Sequence, residues 1–262
     1  MALFEFNLKP LQDVMPWGDE PNQYLHWFGL TDSFYYMNLG DVQLFRYADE
    51  ILEIWSKECP GSNYINEPYM DYQVVRLYED LLEILPDVIQ PIPEAINSYI
   101  STIEKQRDWE NRINEDDEDF ENEGDAYVNA TEWLYFRRLK GLGGDPGIII
   151  WRIEDTIHIR WDNVSIKQDG INTWATTEGE YELPFNEFMS EVESFHKRLI
   201  NNMGERIENI LNNNPLPHIK FNIDELQKEQ LQRADSLNKT LNKEPSIKNW
   251  DKVIVANKEL LK

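Results

Sequence analysis

One cysteine, four histidines and no long apolar run are the scarcities that bound this 262-residue chain. Cys59 has no second cysteine with which to close an internal disulfide or build a cysteine-based zinc site. None of His26, His158, His196 and His218 has another histidine three or four residues away, so the spacing of a metal site is missing. No stretch approaches the ~18 consecutive apolar residues of a membrane helix. The opening residues, with Phe4, Phe6 and Leu8 between polar neighbours, have neither the basic start nor the apolar run of a secretory signal. These absences lead us to expect a cytoplasmic protein with no cofactor, no metal and no membrane partner. Basic residues are also scarce. Lys and Arg number 25 against 49 Asp and Glu, a net charge of −24. Such a field repels nucleic acid and anionic lipid and draws in basic partners. Aromatics are not scarce: 9 Trp, 12 Tyr and 11 Phe suffice to build a core and exclude wholesale disorder.

The charge is uneven. Residues 215–262 hold 9 Lys/Arg and 7 Asp/Glu, a net of +2, which leaves −26 on residues 1–214. The breaker at 212–217, with Pro215 and Pro217, marks a boundary. The expected organisation is an acidic α+β domain over 1–214 and a helical C-terminal appendage over 215–262 packed on it.

Periodicity supplies the elements. Residues 33–39 and 42–47 read as aromatic strands around the two-residue turn Gly40 and Asp41, a hairpin. Asp49 opens a short helix stopped near Pro60. Residues 71–84 read as an amphipathic helix closed by Pro86, and another follows Pro93. Residues 126–139 read as a third clear helix, ended by the glycines at 141–144. Residues 148–153 and 156–161 alternate as half-buried strands about Glu154 and Asp155, and residues 171–175 read as a third strand of that meander. Pro184 starts the longest helix, with Phe188, Val192, Phe195, Leu199, Met203, Ile207 and Ile210 on its buried stripe. Weaker helices follow in the tail. The fold class is α+β, an antiparallel sheet of hairpin and meander packed by several helices.

The candidate chemistry is thin. His158 and Asp162 share one face of a strand, where a hydrogen-bonded surface histidine is the ordinary outcome. The glycines at 141–147 follow a helix and precede a strand, the reverse of a phosphate loop, so they are turn chemistry. Glu79 with Glu83 and Glu187 with Glu191 lie at helical spacing, as a general acid and base would. With 49 carboxylates such pairs arise by chance. No serine sits in a nucleophile elbow. Trp27, Tyr35, Tyr69 and Tyr72 are interface anchors if exposed and core if buried.

The run at 115–125 stands apart: eight of its 11 residues are acidic and Phe120 is its one apolar residue. Charge this dense predicts a solvated loop or frayed helix end. It makes Asp116, Asp117, Glu118, Asp119, Phe120, Glu121 and Glu123 the candidate partner-binding residues.

Residues 25–32, 68–73, Trp151 and Arg152, residues 160–163 and the helix start at 188–195 resemble an uncharacterised bacterial domain-of-unknown-function family of acidic proteins. Its members look like immunity proteins that accompany polymorphic toxins. The resemblance covers most of residues 4–210, leaves the tail outside, and carries no catalytic residues. It implies a cytoplasmic immunity protein that blocks the active site of a cognate toxin domain, whose cleft would be basic. An acidic nucleic-acid mimic, an adaptor, and an enzyme with a site of scattered residues are the alternatives.

Overall fold

The structure, a computed structural model, describes residues 2–58, 66–115, 120–140 and 144–261. The α+β expectation holds, with the hairpin and the meander in separate antiparallel sheets. In the first sheet β1 (Phe4–Leu8) pairs with β2 (Asp32–Leu39). The other side of β2 is shared by β3 (Val42–Leu44) and β4 (Met70–Gln73). Gly40 closes the predicted hairpin at φ +71, a left-handed angle that glycine adopts without a Cβ clash. After the hairpin comes α1 (Asp49–Glu58).

Two boundaries differ from the periodic reading around α2 (Val74–Ile89). Residues 71–73, expected in the helix, instead complete β4, with Ser33 opposite Tyr72 and its Oγ donating to Tyr72 O at 2.9 Å. The open edge of β2 supplies ladder partners, and that tertiary gain outweighs helical spacing. Pro86 does not close α2 either; it lies buried inside it. A proline costs one ladder bond and crowds the preceding turn. Here the turn beyond it buries Asp87 and Val88, which offsets that loss.

Next come α3 (Glu94–Ile100), α4 (Ile103–Glu115) and α5 (Phe120–Tyr135). The second sheet is β5 (Ile148–Ile153), β6 (Thr156–Asp162) and β9 (Glu178–Pro184), in that order. The predicted third strand at 171–175 is only the short β8 (Ile171–Asn172), paired with β7 (Lys167–Gln168) about the turn at Gly170. β9 takes that place because its carboxylates find partners on β6. Glu182 lies opposite His158, and Glu180 opposite Arg160. The Arg160–Glu180 ion pair and the His158–Glu182 contact across the ladder stabilise a strand whose composition alone argues against it.

The half-buried reading of β5 is also corrected: Ile148, Ile149, Ile150 and Trp151 are all buried. One face of the sheet meets the main core and the other a second core. Ile148, Ile150, Ile157, Ile159 and Trp161 face the first; Ile149 and Trp151 join Trp109, Trp133 and Val253 in the second. On the edge strand β9 Gly179 lies against the Trp161 ring, where a Cβ would clash with Cζ2. Gly179→Ala is therefore expected to destabilise the fold by about 1–3 kcal/mol, as overpacking does. The check is a lower urea midpoint at unchanged slope. An unmoved midpoint would mean the ring is not wedged.

The longest helix is α6 (Phe185–Asn213), whose stripe is buried as predicted. The tail forms α7 (Ile223–Ala234), α8 (Ser236–Leu241) and α9 (Trp250–Leu260). Leu226 and Leu237 enter the main core, and Val253, Ala256 and Leu260 the second. Gln230 accepts from Trp27 Nε1 at 2.7 Å, with Arg233 stacked on the same ring at 4.3 Å.

Candidate partner-binding cleft

α4 begins where Thr102 Oγ1 accepts from Lys105 N at 3.2 Å, a side-chain cap of its first turn. Trp109 and Ile113 recur one turn apart and bury one face, against Ala130, Trp133 and Leu134 of α5. The two helices meet through Trp109 and Trp133, with ring centroids 6.1 Å apart. One buried amide secures the joint. Asn257 on α9 accepts from Trp109 Nε1 at 2.6 Å and donates to Ala130 O at 3.1 Å and Val253 O at 2.9 Å. A tail residue thereby pins α4 to α5.

Away from this joint the helices leave a cleft of about 450 Å³. Trp109, Ile113 and Leu134 line its apolar part, Tyr127 and Tyr135 its aromatic walls, and Glu110 and Arg138 its polar end. Tyr135 is 56% exposed and Val128, on the same helix, 51%. Exposed aromatic groups beside an apolar hollow are the usual material of protein-binding hot spots.

Glu110 and Arg138 also line an adjoining polar cavity of about 220 Å³ against β6. Most of its polar groups are already engaged. Buried Arg160 donates to Gln106 Oε1 at 2.6 Å and Glu180 Oε2 at 3.1 Å, and stacks 4.8 Å from the Trp151 ring. Gln106 donates in turn to Glu110 at 2.9 Å. Arg107 bridges Asp162 at 2.7 Å and Glu178 at 2.5 Å. Arg138 has no ion pair among the described residues. Cleft and cavity together offer an apolar hollow, the Glu110 carboxylate and the Arg138 guanidinium.

Of the predicted binding residues, Asp116, Asp117, Glu118 and Asp119 lie outside the described residues, as does Cys59. Phe120, Glu121 and Glu123 fall in the opening turns of α5, so the helix expected from 126 begins six residues earlier. The run joins α4 at Glu115 to α5 at Phe120. Ile113 is two residues before Glu115, and Tyr127 lies about 10 Å along α5 from Phe120 at 1.5 Å per residue.

The other candidates are not brought into a site. His158 Nδ1 lies 3.1 Å from Glu182, and its ring stacks 5.2 Å from Trp151. Burial lowers its pKa, against the pull of Glu182. Asp162 belongs instead to Arg107. Glu79 pairs with Arg233 at 2.8 Å and Glu83 with Lys140, while Glu191 accepts from Leu3 N at 2.7 Å. Each of these carboxylates has a structural partner. Trp27 and Tyr35 are core, and Tyr69 is half-buried in a stack on Tyr36 at 4.2 Å. In the glycine run Gly144 takes φ +94 and its carbonyl accepts from Trp174 Nε1, which is turn chemistry. Among the described residues no three His, Cys, Asp or Glu side chains are grouped to hold a metal. No helix among them is long and apolar enough to cross a membrane. Periodicity had passed over Trp109, Tyr135, Arg138 and Asn257. The turn spacing of Trp109 and Ile113 was the available signal for α4, diluted by the charged residues between them.

A family model described as a family of unknown function, DUF5984, matches residues 3–256, which takes in the tail as well as the acidic part. No curated protein and no solved structure matches the chain.

Proposed function

We propose, for a chain that belongs to this family of unknown function, that it is an immunity protein which binds a cognate bacterial toxin domain and blocks its active site. The observation that carries the reading is the aromatic cleft between α4 and α5, the two helices that flank in sequence a run with eight acidic residues in 11. Toxins that cut or modify nucleic acids or nucleotides have basic active-site clefts. An acidic surface with an apolar anchor point suits such a partner on both counts. An apolar side chain of the toxin enters between Tyr127 and Tyr135, Glu110 takes a nearby cation, and the acidic run neutralises the surrounding basic rim. The resemblance to immunity-like acidic proteins supports the same reading.

Co-expression with the toxin domain encoded beside this gene tests it. The protein should restore growth against that toxin and against none from unrelated loci, and the two should co-purify. Tyr135→Ala, at an exposed position, and Glu110→Gln, which keeps an acceptor for Gln106 and loses the charge, should weaken the complex by about tenfold or more with little change in stability. Rescue without a physical complex would exclude the blocking mechanism. A complex indifferent to both substitutions would place the interface elsewhere.

A further inference from the structure

The outer edge of β1 is a second surface, remote from the cleft in sequence and built on the main core. Leu3 O accepts from Asn38 N at 2.8 Å, and Lys9 N donates to Asp32 O at 3.0 Å. With Phe4 opposite Met37 and Leu8 opposite Ser33, that phase makes Leu3, Glu5, Asn7 and Lys9 the residues bonded to β2. Antiparallel ladders bond every second residue. The N–H and C=O groups of Phe4, Phe6 and Leu8 therefore point away from the sheet.

Two arginines of α6 cover the ends of this edge. Arg198 donates to Phe4 O, and Arg206 to Lys9 O and, at 2.7 Å, to Leu30 O. Between them the main-chain groups of Phe6 and Leu8 have no partner among the described residues. A groove of about 480 Å³ runs beside this window. Its far wall is one face of α6, formed by Arg198, Asn202, Glu205, Arg206 and Asn209. Natural sheets usually blunt or cover a free edge; here the ends are covered and the middle is open. Glu205 is exposed and has no ion pair among the described residues.

We propose that the edge of β1 takes an extended polypeptide segment, which adds to the sheet as a further strand and directs a Lys or Arg side chain at Glu205. The main-chain groups of Phe6 and Leu8 supply the ladder bonds that hold such a segment. Charge selects its composition: the groove arginines are already spent on carbonyls, Glu205 is unpaired, and the whole chain carries −24. A second copy of this chain is the poorer occupant, because two bodies of that charge repel.

The probe is an acetylated and amidated peptide of alternating valine and lysine, titrated into the full chain and followed by amide exchange and fluorescence anisotropy. Binding should slow exchange at Phe6 and Leu8 and leave Glu5 and Asn7, already bonded to β2, unchanged. A peptide N-methylated at alternate amides should bind about tenfold more weakly or worse. Leu8→Pro removes an outward N–H without removing a ladder bond and should have the same effect. Glu205→Lys, at an exposed helix position, should reverse the preference toward a valine–glutamate peptide. No binding at millimolar peptide overturns the proposal, as does equal binding of the N-methylated peptide or an unchanged preference in Glu205→Lys. Slowed exchange at Phe6 and Leu8 without peptide, together with a dimer in sedimentation, would assign the edge to a second copy instead.

Discussion

Replacing Arg137 with alanine will destabilise the fold by about 2–5 kcal/mol, because buried carbonyls left without their donor cost about 1–3 kcal/mol each. The side chain is fully buried. It donates to Trp133 O at 3.0 Å and to Asp87 O at 2.7 Å, and packs 5.2 Å from the Trp250 ring. Burial pulls its pKa down to about 10, against the favourable field of Asp87, so it is still charged at neutral pH. Asp87 is buried too, and its Oδ1 accepts from Ser246 N at 2.9 Å and Ile247 N at 3.3 Å. The two residues thereby join the end of α2, the end of α5 and the segment leading into α9. Alanine strips two carbonyls of their donor and removes a favourable positive charge from the neighbourhood of the buried Asp87 carboxylate. Asp87→Asn keeps an acceptor for the two amides and loses only charge, so its cost should be smaller than that of Asp87→Ala. Urea unfolding gives the ranking. If Arg137→Ala lay within about 1 kcal/mol of the parent, the buried guanidinium would not hold these elements together.

The second large effect concerns rate. Capture of a basic partner by a chain of −24 should be fast and strongly dependent on salt, since steering raises association by about 10–10³-fold. Screening acts over ~8 Å at physiological ionic strength. Between low and high salt the association rate should fall by about tenfold or more, with dissociation little changed. Neutralising Asp116, Asp117, Glu118 and Asp119 together takes the charge from −24 to −20. That variant should slow association and weaken its salt dependence. It should leave unfolding almost unchanged, or raise stability slightly by relieving like-charge repulsion. Stopped-flow mixing with the toxin domain reads the rates. A flat salt dependence would mean that acidity serves solubility alone, and an unaltered rate in the quadruple variant would remove the run from the encounter surface.

Local spacing by itself determined a good part of this molecule. The turn at Gly40 and Asp41, the β5–β6 hairpin about Glu154 and Asp155, and the α6 stripe from Phe188 to Ile210 each sit within one element or one tight turn. There the apolar period and the turn residues are the physical cause. Charge was legible too, down to the acidic run and the balanced tail. Tertiary structure decided what depends on a partner distant in sequence. Residues 71–73 left the helix for β4 because β2 offered an edge, and β9 formed because His158 and Arg160 lay opposite its carboxylates. β5 lost its expected polar face because a second core, completed by Val253 and Leu260 of α9, covers it. The cleft has the same origin. Trp109, Ala130 and Asn257 are spread over nearly 150 residues, and one buried amide brings them together. A buried polar group must find its partners wherever the chain passes, and no local period records where that will be.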